Sequence, residues 1–322
     1  MPFDVTVIVP AYNRRVMAVE AIASVLAQRG ASFELIAVDD GSTDGTCHEF
    51  ERIATMVNRE SAAPTMRTLR IGNRGPAAAR NAGAELATAP FIAFLDSDDL
   101  WLPHKLQRQL AYMHAHPQYA ISQTRETWLR DGRRVNPGAR HRQRAGDIFM
   151  ESLRTCLISP SAAMMRTQLF RSLGGFDEAM AAAEDYDLWL RILLTHQAGL
   201  LDEALATRRA GHPGQLSAAV PALDRFRILA LAKLLANANL SDQRRRGVCD
   251  VLAEKCLIYA RGLARRGHEP ESNFFLSIAE RARISWAVGA DQALDHAVDA
   301  IRTTVQHAEG GTLTPPIAAA GQ

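Results

Sequence analysis

The first hundred residues alternate between two hydrophobic periodicities, and this alternation constrains the fold more than any other feature. Short apolar runs typical of buried strands occur at VTVIVP, FELIAVDD, MRTLRIG and FIAFLD. Between them lie three segments with helical spacing, RRVMAVEAIASVLAQ, TDGTCHEFERIATMV and PAAARNAGAELA. Strands joined by helices run parallel, with the helices packed on the faces of the sheet. The sequence therefore predicts an α/β fold with a mainly parallel sheet flanked by helices.

Polar residues gather where the predicted strands end. The first strand ends in PAYN, the second in DDGSTD and the fourth in DSDD, which contains Asp96, Asp98 and Asp99. Ligands of such sheets bind beyond the carboxyl ends of the strands. Three carboxylates this close repel one another, so a cation, a ligand or a helix N-terminus must offset them. We predict a binding site at this edge.

The sequence also indicates how that site would bind phosphate. No strand is followed by G-x-G-x-x-G, and no G-x-x-x-x-G-K-[ST] occurs, so neither glycine-rich phosphate cradle is available. Hard carboxylate oxygens suit Mg²⁺ or Mn²⁺ and leave coordination positions open for pyrophosphate oxygens. A divalent metal bound by Asp96 and Asp98 would offset both the repulsion between the carboxylates and the negative charge of the phosphates.

Length and composition set the outer limits. The 322 residues, of which 47% are hydrophobic, are enough for about two domains. A net charge of +2 does not indicate a nucleic-acid surface. The four cysteines are widely separated and lack zinc spacing, so we expect reduced thiols. No leader peptide and no run of the ~18 apolar residues that cross a bilayer is visible. We expect a soluble, cytoplasmic protein.

The character of the sequence changes after Ser217. Four segments with helical periodicity follow and none resembles a strand. We therefore predict a catalytic or binding domain over 1–217, a helical region over 218–306 and a flexible tail over 307–322. The basic faces at Arg244–Arg246 and Arg261–Arg266 are expected to be solvated, although they could touch an acidic partner or anionic lipid headgroups, which would place the protein at the inner face of a membrane.

Six motifs, taken together, carry a family resemblance. VIVPAYNR, VDDGSTDGT, NRGPAAARNAG, FLDSDD, LGGFDE and EDYDLWLR, in this order, resemble the family 2 glycosyltransferases of the GT-A fold. The resemblance covers roughly residues 4 to 217 and lies in the order and spacing of the motifs. It implies a metal-dependent, inverting transfer of a sugar from a nucleotide diphosphate donor to an acceptor hydroxyl.

The resemblance also assigns roles to residues. It makes Asp185 the catalytic base with Glu184 beside it, and Asp96, Asp98 and His212 the metal ligands. Asp39 would accept a hydrogen bond from the base, since uracil offers an N–H donor. The donor-binding set it implies is Pro10, Ala11, Tyr12, Asn13, Asp39, Asp40, Arg80, Asn81, Asp96 and Ser97.

Several of these residues also fit structural interpretations. Ser42 or Asp44 could cap the helix after the second strand, and a turn before an alanine-rich helix would explain Arg80 and Asn81. Asp99 could cap a helix that starts near Leu102 and Pro103. Glu184 and Asp185 could simply stabilise a helix N-terminus, GGFDE could be a structural turn, and His212 could be a surface residue.

The expected partners are a nucleotide-diphospho-sugar, with UDP favoured, and a glycan, lipid-linked or protein acceptor. Cell-surface polysaccharide, lipopolysaccharide or glycoconjugate synthesis would be the setting. The arginine-rich segment Arg125–Arg144 would serve as a mobile acceptor or lid region. The alternative is a non-catalytic nucleotide-sugar-binding or scaffold protein whose helical region binds a partner.

Overall fold

The computed structural model describes residues 3–59, 64–212, 214–215, 222–236, 240–288 and 292–307. The chain divides into two compact units. Unit 1 comprises Met1–Met180 and Glu184–Ala219, and unit 2 comprises Ala181–Ala183 and Val220–Gln322. The predicted boundary between 217 and 218 lies outside the described residues, as does the predicted tail apart from His307.

Unit 1 is an α/β structure, as predicted. Its strands are β1 Val5–Ala11, β2 Phe33–Asp39, β3 Thr65–Arg70, β4 Phe91–Phe94, β5 Leu100–Trp101, β6 Ile121–Arg130, β7 Arg133–Val135, β8 Ala163–Arg166 and β9 Ala198–Ala210. Its helices are α1 Arg15–Leu26, α2 Thr46–Arg59, α3 Pro76–Glu85, α4 Lys105–Ala115, α5 Phe149–Ser152, α6 Thr167–Ser172 and α7 Glu184–Leu193. Two short 3₁₀ helices lie at Ala139–His141 and Pro160–Ala162.

The sheet runs in the order β3-β2-β1-β4-β8-β6-β9-β5, with β7 paired to β6. The pairs among β1 to β4 are all parallel. Beyond β4 the sheet is mixed, since β8 is antiparallel to both β4 and β6 whereas β6 and β9 are parallel. Because β1 lies between β2 and β4, the chain reverses its winding there and opens a crevice at the carboxyl ends of these strands.

Burial explains why the first four strands form. Every residue of β1 and β2 is buried, as expected for parallel strands covered on both faces. Helix α1 covers one face with Ala18, Ala21, Ile22 and Val25, spaced three or four residues apart. On the other face α3 approaches closely because a Cβ on Gly83 would lie only 2.7 Å from Cγ2 of Ile8. The acidic loop after β4 therefore follows a strand that belongs to a tightly packed part of the sheet.

The later strands differ from what the sequence led us to expect. Part of the Arg125–Arg144 segment is a β-hairpin, formed by β6 and β7 with Trp128 opposite Val135. Strand β9 extends alongside β6, and the register shifts on either side of Arg125. Helix α4 begins at Lys105 rather than near Leu102, because the short strand β5 occupies Leu100 and Trp101.

The described part of unit 2 is helical, with α8 Asp224–Leu235, α9 Asp242–Arg265, α10 Glu269–Val288 and α11 Gln292–His307. Ser241 caps α9 by accepting from the backbone N–H of Arg244. Lys255 on α9 donates to Asp224 on α8 at 3.0 Å, and the ring of Tyr259 packs on Phe275 of α10 at 4.8 Å. Among the described residues, no helix has both the length and the apolar character required to cross a bilayer.

Candidate active site

Three aspartates form an acidic cluster just after β4. Asp96, Asp98 and Asp99 each offer a carboxylate oxygen, and these oxygens lie within 4.8 Å of one another. Asp99 is buried, and it accepts from Ser161 Oγ at 2.6 Å and from the backbone N–H of Arg209 at 2.9 Å. Burial, with Asp98 and Asp96 adding to it, raises the pKa of Asp99 well above its ordinary value. Asp99 is therefore an internal anchor, and it does not cap α4.

Asp98 faces two basic side chains from distant parts of the chain. His212 Nε2 lies 3.0 Å from Asp98 Oδ2, and Arg14 Nη1 lies 3.5 Å from the same oxygen. Arg14 also contacts His212 Nδ1 at 2.9 Å and donates to the carbonyl oxygen of Gly214. The loops after β1, β4 and β9 therefore meet at the Asp98 carboxylate.

This arrangement fits a divalent cation. The carboxylates of Asp96 and Asp98 and the imidazole of His212 form a donor set that suits Mn²⁺ or Mg²⁺. One oxygen of Asp96 accepts from Arg80, which leaves the other for a ligand. Asp99 is less suitable as a ligand because Ser161 and Arg209 already occupy its oxygens.

A buried arginine joins the acidic cluster to the second acidic motif. Arg80 Nη2 donates to Asp96 Oδ1 at 2.7 Å, and Nη1 donates to Glu184 Oε1 at 2.6 Å. Only 6% of the Arg80 side chain is exposed, and its guanidinium lies 5.2 Å from the centre of the Phe176 ring. Burial would lower the pKa of Arg80, but the two carboxylates outweigh it and raise that pKa. The alanine-rich helix α3 therefore carries a central bridge between the two motifs.

Glu184 and Asp185 begin α7, as the helical spacing predicts. The residue before them, Ala183, has a φ of 57°, so the chain turns sharply into the helix. Burial raises the pKa of Glu184, and Asp185 adds to this, while Arg80 opposes it. Asp185 points elsewhere, because its Oδ2 lies 3.6 Å from Cys156 Sγ. The pair thus separates into a buried, paired carboxylate and a second one without an arginine partner in the described part of the chain.

The ends of β1 and β2 form a connected polar network. Asn13, with a φ of 49°, donates its backbone N–H to Ser42 Oγ and accepts from the backbone N–H of Thr43, both at 2.8 Å. Asp39 is fully buried, 3.4 Å from Arg70 Nε, and Asp40 accepts from the backbone N–H groups of Arg74 and Gly75 at 2.8 Å. The remaining predicted residues here are buried Pro10 and Ala11 and half-buried Tyr12.

Asp44 performs the helix-capping task considered for this loop. It accepts from the backbone N–H groups of Arg15 and Thr46, the first residues of α1 and α2. Ser97, which lies between Asp96 and Asp98 in the sequence, is buried. Asp39 and Asp40 are both buried at this loop, and their binding roles stay predictions.

Asn81 does not face the acidic cluster. Its side chain accepts from the backbone N–H of Phe176 and donates to the Phe176 carbonyl oxygen, both at 2.9 Å. A Cβ on Gly175, whose φ is +71°, would lie 2.5 Å from the Asn81 oxygen. The GGFDE turn is therefore a tight structural contact with Asn81, and the donor-binding role of that residue stays a prediction.

Sequence reasoning missed four residues of this region. Arg14 and Ser161 contact the aspartates directly. Glu126 on β6 and Arg208 on β9 lie on the same side of the sheet, and each affects the pKa of the other. For Glu126 and Arg208, the available signal was the presence of charged side chains within the segments QTRETW and LATRRA.

Comparisons with known proteins show which family the chain resembles. The family model for glycosyl transferase family 2 matches residues 6–174. An uncharacterized glycosyltransferase of Rickettsia felis is 33% identical over 205 residues, which cover 64% of this chain and 33% of that protein. TuaG of Bacillus subtilis, named for teichuronic acid biosynthesis, is 39% identical over 112 residues, covering 34% of this chain and 41% of that protein. The chain spans about a third of the length of its Rickettsia felis and Rickettsia conorii relatives.

Solved structures share the fold. S. aureus TarS 1-349 in complex with UDP-GlcNAc has a TM-score of 0.69 at 22% identity, and the match covers 94% of this chain and 90% of that one. The mannosyltransferase PcManGT of Pyrobaculum calidifontis, in complex with GDP-Man and Mn²⁺, has a TM-score of 0.58 at 18% identity, covering 95% and 84%. The motifs, the family match and these structures lead to one conclusion: the chain belongs to glycosyl transferase family 2 and has the GT-A fold.

Proposed function

We propose that this protein is a metal-dependent, inverting glycosyltransferase. It moves a sugar from a nucleotide-diphosphate donor, with a UDP-sugar favoured, to an acceptor hydroxyl in cell-envelope polysaccharide or glycoconjugate synthesis. One observation carries the proposal: Arg80 joins Asp96 and Glu184 through contacts of 2.7 and 2.6 Å. This bridge fixes the donor-side aspartates relative to the start of α7, where the base would be.

The two acidic groups divide the chemistry between them. Asp185 would take the proton of the acceptor hydroxyl, whose oxygen bonds to the anomeric carbon as the bond from that carbon to the diphosphate oxygen breaks. Attack from the face opposite the leaving group inverts the anomeric centre. Glu184, held by Arg80, would fix the position of Asp185 at the first turn of α7. A divalent cation on Asp96, Asp98 and His212 would supply positive charge for the leaving diphosphate.

The donor would lie along the ends of β1 and β2. Pro10, Ala11 and Tyr12 would line the nucleoside pocket, and Asp39 would accept from the base. UDP is favoured because TarS, which shares the fold, binds UDP-GlcNAc, while the Mn²⁺ of PcManGT supports the metal. The name of TuaG supports a role in the cell envelope.

The proposal is tested by calorimetric titration with UDP-, GDP- and dTDP-sugars, first with Mn²⁺ and then with a chelator. We expect one nucleotide to bind in the presence of the metal and to lose most of its affinity with the chelator. Asp98→Ala should abolish the metal-dependent part of donor binding. The control is Asp250→Ala, an exposed aspartate on α9, which should bind like the wild type. No binding of any donor to the wild type would refute the proposal.

A further inference from the structure

One face of the β6–β9 pair carries charged groups that the proposed reaction does not use. Trp128 on β6 is opposite Arg208 on β9, and Glu126 is opposite Ala206. Because side chains alternate along a strand, Glu126, Trp128 and Arg130 share a face, and the contact between Trp128 and Arg208 places Arg208 there too. This face leads from the acidic cluster toward the hairpin of β6 and β7.

Arg208 is the inner cation of this face. Its guanidinium lies 4.9 Å from the centre of the Trp128 ring, and the ring of His141 lies 5.5 Å from that of Trp128. Arg208 makes no hydrogen bond, and no ion pair within 4.0 Å, with any residue that the structure describes. Burial would lower the pKa of Arg208, but Glu126, Asp99, Asp96 and Asp185 raise it. Its five N–H donors remain available on the face that it shares with Glu126 and Trp128.

The hairpin adds outer cations. Arg130, Arg133, Arg134, Arg140 and Arg142 are all exposed, and none forms an ion pair among the described residues. Segment 125–144 contains seven arginines but only two carboxylates, Glu126 and Asp131. Arginine planes bind phosphate and carboxylate groups through paired hydrogen bonds. Arg133 is opposite Arg130 and so continues the face of Arg208, whereas Arg134 is opposite Leu129 on the other face of the hairpin. Cations on both faces of a hairpin that leads to an unpaired inner arginine suit an extended anion.

A membrane surface is the less suitable occupant. Val135 is the only large apolar side chain of the hairpin that is markedly exposed, so the described hairpin offers little to insert among lipids. A flat surface of headgroups would also not reach Arg208, which is mostly buried and stacked on Trp128. A flexible chain can follow the arginines inward.

We propose that Arg208 and the arginines of the β6–β7 hairpin form the acceptor subsite, and that the acceptor is a glycan chain carrying phosphate or carboxylate groups. The hairpin holds the anionic groups of the chain, and Arg208 holds the one nearest the end that offers its hydroxyl to Asp185. Arg208 then offsets the repulsion between that anion and the carboxylates of Glu126 and Asp185. This inference rests on the proposed function.

The test measures binding of fluorescent oligomers to the full chain by fluorescence polarisation. The probes are a glycerol-phosphate oligomer, a hyaluronan oligomer of equal length and a neutral dextran oligomer. We expect one or both anionic probes to bind in a salt-sensitive manner and dextran not to bind. Tighter binding of the first probe would identify phosphate as the recognised group, and tighter binding of the second would identify carboxylate.

A matched pair of triple variants separates this subsite from general positive charge. R130Q/R133Q/R134Q should weaken binding of the anionic probe by about tenfold or more, since each arginine near an anionic surface contributes measurably. R29Q/R52Q/R59Q removes the same charge from three exposed positions around α1 and α2 and should change the affinity less than about twofold. Equal losses in both variants would overturn the proposal.

Donor titrations distinguish this inference from the proposed function. R208Q should lose affinity for the anionic probe and keep its donor affinity; the opposite result would overturn the assignment of Arg208 to the acceptor. Donor binding without binding of any anionic probe would refute the acceptor subsite alone. Binding to vesicles with anionic phospholipid, lost in R130Q/R133Q/R134Q while both soluble probes fail to bind, would replace the glycan with a membrane.

Discussion

The two parts of the unit 1 sheet treat their charged groups differently. Between β1 and β4, the chain itself satisfies the carboxylates of the loop after β2: buried Asp40 accepts two backbone N–H groups, and exposed Asp44 accepts those of two helix starts. Between β6 and β9, a buried oxygen of Glu126 lacks a hydrogen-bond partner among the described residues, as does the guanidinium of Arg208. The first part is therefore a self-sufficient framework, whereas the second retains polar groups without such partners among the described residues.

Replacement of Asp185 by asparagine should give the largest change in turnover while leaving the fold intact. Asp185→Asn should lower turnover by about 10²- to 10⁴-fold, because it removes the group that accepts the proton. Donor affinity, measured by calorimetry, should stay within about twofold of the wild type. Loss of donor binding would place Asp185 with the donor-binding residues.

Arg80 connects the two parts, and its removal should show in stability. Arg80→Gln leaves Asp96 and buried Glu184 without their cation, so we expect a loss of about 3–5 kcal/mol in the free energy of unfolding. Denaturant unfolding followed by circular dichroism measures this. The control Arg171→Gln removes an exposed arginine whose guanidinium donates to the Ala87 carbonyl oxygen and should cost about 1 kcal/mol. A loss for Arg80→Gln no larger than that of the control would contradict the bridge.

Replacement of Asp40 tests how much its hydrogen bonds to the backbone contribute to the stability of the region between β1 and β4. Asp40→Ala removes the acceptor of two backbone N–H groups, those of Arg74 and Gly75, and should cost about 2 kcal/mol. Asp40→Asn keeps one acceptor oxygen and should cost about half as much. Similar stabilities of both variants and the wild type would show that the loop before α3 is held by other contacts.

Replacement of Glu126, unlike that of Asp40, should not destabilise the protein, and it should give the smallest change in the free energy of unfolding. Burial raises the pKa of Glu126, and Asp96 adds to this, while Arg208, Ser159 and Trp128 act against it. The folded protein therefore binds the Glu126 proton more tightly than the unfolded chain does. This tighter binding contributes its full stability below about pH 4.3, the pKa of the unfolded chain, and the contribution is lost as the pH rises through the raised pKa of the folded state. At neutral pH, Glu126→Gln should be neutral or stabilising by up to about 1 kcal/mol.

The measurement for Glu126 is unfolding as a function of pH in the presence of chelator. The difference between the wild type and Glu126→Gln should grow as the pH rises above about 4.3, in favour of the variant. A variant that is less stable than the wild type at neutral pH would mean that the Glu126 carboxylate already has a good partner.

The same contrast explains how far the sequence could predict the structure. Each of the first four strands and three helices was predicted within a few residues, because long apolar runs and local capping determine them. The acidic motifs were found at strand and helix ends, and the α/β fold with a helical C-terminal region is confirmed. The site roles of the individual residues stay predictions.

Contacts between distant residues could not be predicted in this way. Arg80 and Glu184 are 104 positions apart, and Arg14 and His212 are 198 apart, so no local pattern links them. Strands β6 and β9 escaped prediction because charged residues interrupt their alternation and because β9 is irregular. The Asn81 contact with the GGFDE turn likewise depends on tertiary packing.

The irregularity of β9 has a consequence for how such a site could change over time. From Thr124 to Glu126, two steps along β6 are matched by five steps along β9, from Leu201 to Ala206. The surplus is an odd number of residues, so it inverts which face each later β9 side chain occupies. Deleting a single codon in this stretch would turn Arg209 toward Trp128 and Arg208 away from it. Strand length, as much as residue identity, thus determines which arginine faces Trp128.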